Sequence, residues 1–339
     1  MSGTVGMRDG AVLVVGGAGY IGSHTVLALK AAGYRTVVYD DFSTGHRDAV
    51  FGDLLVEGSL ADAARLAATM RDCRISAVIH FAALIEAGES VRDPLRFWRH
   101  NVAHSVALIE AMRAAGVGRI VFSSTAAVYG NQDRDAPLDE SLPMRPENPY
   151  GATKAAVEAM LGDLAAAGQL QAVALRYFNA AGADPEGRTG ERHEPETHLV
   201  PLVLDAALGR RPSIAIYGTD YPTPDGTCIR DYIHVCDLAR GHVAALERLQ
   251  ALPAAEGFYR PVNLGTGQGH SVREVIEAAR RITGRQIAVV EAGRRPGDPA
   301  RLVADVRRAG GELGWTARDS ALDRIIEDAW RFHRRRHGG

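Results

Sequence analysis

Five short runs in the first half of the chain are apolar on both faces: "AVLVVGG", "TVVYD", "SAVIHFAA", "RIVFSS" and "AVALRYF". A strand with no polar face must be covered on both sides, as in a parallel sheet sandwiched by helices. Alanine-rich helical stretches separate these runs, and three of them end at Gly33, Gly116 and Gly168, suited to a left-handed helix stop. Strand and helix alternating in this way predict an α/β fold, a Rossmann-type doubly wound parallel sheet. A chain of 339 residues exceeds what one core usually holds, so a second domain is expected. The character changes near Gly182, where "GADPEGRTGERHEPETHL" is polar and rich in Gly and Pro. Residues 1–181 are therefore read as the sheet domain, with segments near 232–264 returning to it. Residues 182–339 are read mostly as a smaller, mixed α/β domain, with helices near 201–208 and 320–333 and one opening near Ser271.

Composition excludes several partners. The formal net charge is −2, which offers no field for nucleic acid or an anionic membrane. No apolar run reaches membrane-span length, and "MSGTVGMRDG" lacks the apolar core of a secretory leader. Three scattered cysteines, Cys73, Cys228 and Cys236, fit a reducing compartment, so a cytoplasmic location is expected. No His/Cys group has zinc spacing, and no metal is expected.

Two motifs carry chemistry. In "VLVVGGAGYIGSH", Gly16, Gly19 and Gly22 follow an apolar run and open a helix. Such a turn brings backbone close to a pyrophosphate at a helix N-terminus. Asp40 ends the next predicted strand, eighteen residues after Gly22. An acid there accepts the ribose hydroxyls and repels a 2′-phosphate, which favours NAD over NADP. The second motif is "NPYGATKAAVEAM", in which Tyr150 and Lys154 lie four apart at the start of a predicted helix and share a face. A phenol beside a fixed positive charge suits removal of a hydroxyl proton while the carbon loses hydride. By itself Tyr-x-x-x-Lys is common; the glycine loop at this distance gives it weight.

Together the motifs resemble the extended short-chain dehydrogenase/reductase family. The strings "GGAGYIGSH", "HFAALIEAGESV", "FSSTAAVYG", "PYGATKAAVE", "LRYFNAAGA", "YGTDYPTPDGTCIRDYIHV" and "RRPGDPARLVAD" are similar to its UDP-glucose 4-epimerase branch along nearly the whole chain. That resemblance implies bound NAD, UDP-glucose and UDP-galactose as substrates, and a homodimer formed through helices near 101–115 and 150–166. The catalytic positions it implies are Thr125, Tyr150 and Lys154. Related 4,6-dehydratases carry Asp-Glu after their Thr; Ala126 and Ala127 stand here, so no acid is placed for dehydration.

Cofactor contacts implied by the resemblance are Gly16, Gly19, Tyr20, Ile21, Gly22, Asp40, Asp41, Ser59, Leu60, Phe81, Ala82, Ala83, Asn101, Thr125, Tyr150, Lys154 and Phe178. Substrate contacts are Thr125, Tyr150, Asn179, His198, Leu199, Ala215, Tyr217, Arg230, Arg295, Asp298 and Leu302, with the two arginines on the diphosphate. Three positions depart from the pattern. Ser59 replaces the acid that reads adenine, Ile85 a frequent lysine, and His198 an asparagine; a packed loop histidine is the equal alternative for His198. Leu302 falls where the family gates hexose size, and leucine is intermediate between a tyrosine that excludes N-acetyl sugars and a small residue that admits them. The expected reaction is interconversion of UDP-glucose and UDP-galactose by transient C4 oxidation. The alternatives are an epimerase of another UDP-sugar and a catalytically silent NAD sensor.

Overall fold

The computed structural model describes residues 10–132, 136–253, 256–295 and 297–338. The reading of the N-terminus falls on residues 1–9, outside that description. The chain forms two compact units. One comprises Met1–Val128, Asn148–Arg176 and Ala239–Val262; the other comprises Tyr129–Glu147, Tyr177–Leu238 and Asn263–Gly339.

In chain order the strands are β1 (Ala11–Val15), β2 (Thr36–Asp40), β3 (Leu54–Glu57), β4 (Ile75–His80), β5 (Arg119–Thr125), β6 (Gln171–Tyr177), β7 (Asn179–Ala181), β8 (Ile214–Tyr217), β9 (Ile229–Arg230), β10 (Tyr232–His234), β11 (Phe258–Leu264), β12 (His270–Ser271), β13 (Val289–Ala292) and β14 (Arg301–Leu302). The helices are α1 (Tyr20–Ala31), α2 (Ala63–Asp72), α3 (Ala87–Arg92), α4 (Pro94–Phe97), α5 (His104–Ala115), α6 (Pro149–Ala166), α7 (Leu199–Ala207), α8 (Val235–Gln250), α9 (Val272–Thr283), α10 (Arg307–Leu313) and α11 (Leu322–His337), with a π-helical turn at Trp98–Ala103.

The first unit is built on a seven-stranded sheet of order β11-β6-β5-β4-β1-β2-β3. Strand β1 pairs in parallel with β2 on one side and β4 on the other, so strand order reverses there. Doubly wound sheets bind ligands in the crevice at the carboxyl ends beside that reversal. All five residues of β1 and of β2 are buried, as their lack of a polar face requires. Leu13, Leu66, Leu108, Met112, Ile120, Phe122 and Leu161 belong to the core of this unit. The sequence reading passed over β3, whose four residues are exposed or half-exposed and which lies at the edge of the sheet.

The second unit contains the parallel pairs β7/β10 and β8/β13 and the three-stranded sheet β12-β9-β14. Its core joins α7, α9 and α11 through Val203, Leu204, Ile276, Ile325, Ile326 and Trp330. Helix α7 starts at Leu199, two residues before the expected Pro201, and α11 runs on to His337. Helix α9 opens on a reciprocal capping box between Ser271 and Glu274, which accounts for the start near Ser271.

Candidate active site

The cofactor loop is shaped by close backbone approach. Gly16 has φ +77°, and a Cβ there would stand 2.7 Å from the Ala82 amide nitrogen. At Gly22 a Cβ would lie 2.2 Å from the Gly16 carbonyl oxygen, so only glycine lets α1 begin this close to the turn. Gly19 is the N-cap, and Tyr20, Ile21 and Gly22 form the first turn of α1. The amides that open a helix lack partners within it and favour anions. Asp40, at the end of β2, is buried; its Oδ2 accepts the Ala18 amide and its Oδ1 the Phe42 amide, each at 2.9 Å. Burial raises its carboxyl above the usual range, while these two amides oppose the shift. Each oxygen keeps a further lone pair for a ribose hydroxyl. This cradle and its acid fit a dinucleotide.

The other expected cofactor positions divide by what their side chains do. Phe81, Ala82 and Ala83 follow β4, and the Phe81 ring lies 4.7 Å from that of His242. Asp41 accepts the Ser43 amide at 2.9 Å. Ser59 and Leu60 follow β3; the Ser59 hydroxyl accepts the Ala61 amide at 3.2 Å, and Leu60 is buried. Asn101 sits in the π-helical turn and is committed to the protein itself. Its Oδ1 accepts the Leu84 amide at 2.8 Å, and its Nδ2 donates to the Leu84 carbonyl at 3.0 Å and to Thr153 Oγ1 at 3.1 Å. Asn101 therefore ties the loop after β4 to α6. Phe178 lies between β6 and β7, and its amide donates to the Leu264 carbonyl at 3.4 Å.

Thr125, Tyr150 and Lys154 come together. Thr125 ends β5 and accepts the Ala127 amide at 3.1 Å. Asn148 caps α6 by accepting the Gly151 amide at 2.9 Å, and Pro149 occupies the first turn. That start places the phenol of Tyr150 in a hydrogen bond with the Thr125 hydroxyl. One turn on, Lys154 is buried; its Nζ donates to the Ser123 carbonyl at 2.8 Å and lies 4.9 Å from the centre of the Phe122 ring.

Burial governs both titrations. It pushes the Tyr150 phenol up to about 12, with the Thr125 hydrogen bond pulling down and Glu86 pushing up. It pushes the Lys154 ammonium down to about 7, with Glu158 pulling it back up. In the chain by itself, then, the Tyr150 phenol stands above its ordinary value. Desolvation of each group exceeds what the neighbour returns.

Apart from Thr125 and Tyr150, the expected substrate positions lie in the second unit, in four groups. Arg230 on β9 is buried and ion-paired with Asp298, and Leu302 on β14 is its parallel partner in register. Arg295 stacks its guanidinium 3.9 Å from the ring centre of Tyr217, at the end of β8, the strand that also carries Ala215. The Asn179 amide opens β7 by donating to the Asp231 carbonyl at 2.9 Å. His198 is the N-cap residue of α7, directly before Leu199, and its Nδ1 faces Glu191 and Glu196. Sequence reasoning missed Glu158, which is 1% exposed and receives Arg176 Nη2 and the Tyr259 hydroxyl, each at 2.7 Å, as well as the Ser124 hydroxyl. The only signal for it was a glutamate four residues after Lys154, on the helix face that carries Tyr150 and Lys154.

A nucleotide cradle, a phenol and a lysine at the carboxyl edge of a doubly wound sheet describe a class of oxidoreductive enzyme folds, and the family model agrees. The chain belongs to the NAD dependent epimerase/dehydratase family, matched over residues 12–265. More particularly, it is 50% identical over 327 residues to the UDP-glucose 4-epimerase of Rhizobium leguminosarum bv. trifolii, covering 96% of this chain and 98% of the relative. Its fold matches the UDP-glucose 4-epimerase of Brucella ovis in complex with NAD at a TM-score of 0.91 and 50% identity, covering 96% and 98% of the two chains. It also matches the UDP-glucose 4-epimerase of Stenotrophomonas maltophila with bound NAD and formylated UDP-arabinopyranose, at a TM-score of 0.93 and 42% identity, covering 97% and 99%.

Proposed function

We propose that this chain interconverts UDP-glucose and UDP-galactose by oxidising the sugar at C4 and reducing it again from the other face. The observation that carries the reading is the hydrogen-bonded Thr125–Tyr150 pair with Lys154 one turn on, in the unit that also holds the Gly16–Gly22 cradle. Bound NAD supplies a hydride acceptor that returns the same hydride, so no net oxidant is consumed. Tyr150 takes the O4 proton and gives it back, and Thr125 holds the phenol oxygen and the O4 hydroxyl in line. Lys154 supplies positive charge near the phenol whenever it is protonated. Asp40 binds the adenosine ribose, which makes NAD the cofactor in place of NADP.

In the second unit, Arg230 and Arg295 are assigned to the UDP diphosphate, with Asp298 and the Tyr217 ring orienting their planes. Asn179, His198, Leu199 and Ala215 are the remaining nucleotide-sugar contacts, and Leu302 limits bulk beside the sugar. The protein is proposed to act as a homodimer in the cytoplasm. Val91, Leu95, Trp98 and Val106, exposed on α3, α4, the π-helical turn and α5, provide an apolar surface for the second copy. Among the described residues no helix is long and apolar enough to cross a membrane.

The test uses purified protein without added cofactor. UDP-galactose is supplied and UDP-glucose is followed through a coupling dehydrogenase, with Tyr150→Phe in parallel. Turnover that collapses in the variant supports the reading. A protein inactive on this pair even with NAD added, yet active on a UDP-pentose, would replace it with the second reading. That reading rests on the pentose nucleotide held by the Stenotrophomonas relative.

A further inference from the structure

We propose that Glu191, His193, Glu196 and His198 form a binding site for one divalent transition-metal ion, of which zinc is the best fit. The four side chains come from eight consecutive residues, and their donor atoms all lie within 4.8 Å of one another. Glu191 Oε1 stands 2.9 Å from His198 Nδ1 and 3.5 Å from His193 Nδ1. Glu196 completes the ring, with Oε1 3.2 Å from His198 Nδ1 and Oε2 3.6 Å from His193 Nδ1. Donors about 2.0–2.1 Å from a tetrahedral zinc stand about 3.3 Å from each other, and the two edges from Glu191 Oε1 bracket that value, while Glu196 presents a different oxygen to each imidazole. The 2.9 and 3.2 Å separations at His198 are hydrogen-bond distances, whereas the 3.5 and 3.6 Å separations at His193 are long for a hydrogen bond and close to the spacing of ligands that share one ion.

Chemistry points the same way. With neutral imidazoles the cluster carries two negative charges, the complement of a divalent cation. Two imidazole nitrogens with two carboxylates suit zinc and its transition-metal neighbours, whereas calcium and magnesium select all-oxygen sets. The Glu196 carboxylate is also held in place from behind. Its Oε1 accepts the Thr197 and His198 amides, each at 2.8 Å, and its Oε2 accepts the His193 amide at 3.2 Å. Such outer contacts orient metal ligands. Because His198 is the N-cap residue of α7, the ion would fasten the polar loop to the start of that helix, with Nδ1 on the ion and Nε2 left for the nucleotide-sugar contact proposed above. The spacing E-x-H-x-x-E-x-H matches no zinc-finger pattern, so the sequence reading found no metal site.

Untagged protein is treated with EDTA, dialysed, and titrated with zinc against a chromogenic chelator. One equivalent is expected to bind with sub-micromolar affinity, and His193→Ala and Glu191→Gln are each expected to weaken it by about 100-fold or more. His337→Ala removes a member of the separate Asp205–His333–His337 group and is expected to leave the count unchanged. X-ray absorption at the zinc edge of the wild-type protein is expected to report two nitrogen and two oxygen neighbours at about 2.0–2.1 Å, a readout that does not require any variant to fold. A wild-type chain that takes up no zinc, a zinc shell containing sulfur, or an equivalent that is retained in a folded His193→Ala protein would each overturn the proposal. None of these readouts uses turnover, so the metal site stands or falls separately from the proposed reaction.

Discussion

Lys154 and Glu158 occupy successive turns of α6, 3% and 1% exposed, and the carboxylate counters the loss of the lysine's proton that burial favours. Glu158 is in turn fixed by Arg176, whose Nε lies 3.0 and 3.1 Å from its two oxygens. The proton-handling face of the helix thus has an ionic anchor inside the core.

Removing one member of that anchor leaves the other charged and without its partner. Glu158→Gln is expected to destabilise the protein by about 3–5 kcal/mol, whereas Glu158→Leu combined with Arg176→Met is expected to lose much less. Urea unfolding of both proteins checks this; equal losses in the single and the double variant would contradict the anchor's ionic character.

The depressed Lys154 titration has a defined pH signature. Its folded value of about 7 lies below the ordinary lysine value of 10.5, so between those values the unfolded chain binds more protons. Stability therefore rises with pH across that window, by up to about 1.4 kcal/mol per unit from this one group. Tyr150 acts oppositely and higher, where its raised phenol makes stability fall between about 10 and 12. Lys154→Met is expected to flatten the rise from pH 7 to pH 10. Chemical denaturation at several pH values reads the slope, and an unchanged slope in the variant would refute the assignment.

Tyr150→Phe is expected to lower kcat by about 10²–10⁴-fold, the range for loss of a general base, while leaving bound NAD in place. Thr125→Val is expected to give a smaller loss, because it removes an orienting hydroxyl and leaves the base. Turnover by coupled assay and cofactor content by absorbance, measured on one preparation, separate chemistry from binding.

Asp40→Ala removes about 1.5–3 kcal/mol of charge-assisted hydrogen bonding to the ribose, a loss of about ten- to a hundredfold in NAD affinity. Its preference for NAD over NADP is expected to shrink in the same variant. Calorimetric titration of cofactor-stripped protein measures both, and an unaltered preference would place the discriminating group elsewhere.

Leu302 is expected to keep UDP-N-acetylglucosamine a poor substrate. Leu302→Ala is expected to raise kcat/KM for that sugar about tenfold or more, the scale of a few methylenes in a pocket, and Leu302→Tyr to lower it further. Comparable wild-type rates on acetylated and plain hexoses would defeat this expectation.

What could be read from the sequence is what local chemistry determines. Strands β1, β2, β4, β5 and β6 announce themselves by having no polar face, and the beginning of α6 is written in Asn148 and Pro149. The Gly16–Gly22 spacing is equally local. Strand β3 was not legible, because an edge strand with exposed residues has no burial pattern to reveal it. The bonds of Asn101 were not legible either, because they run to Leu84 and Thr153, 17 and 52 residues away. The Glu158–Arg176 pair likewise depends on α6 lying against β6. The titration of Lys154 could not be read at all, since its sign depends on how much water the finished fold excludes.

The strand β11 that completes the sheet is synthesised long after its neighbour. Tyr177 ends β6, but its pairing partner begins only at Phe258. On the ribosome, at about 5–20 residues per second, the nascent sheet thus carries an open edge for several seconds. A fragment cut at residue 181 would keep that edge for good, and its Glu158 would lack the Tyr259 hydroxyl. Expression of the first half alone is therefore expected to leave exposed the edge of β6 that β11 covers in the full chain.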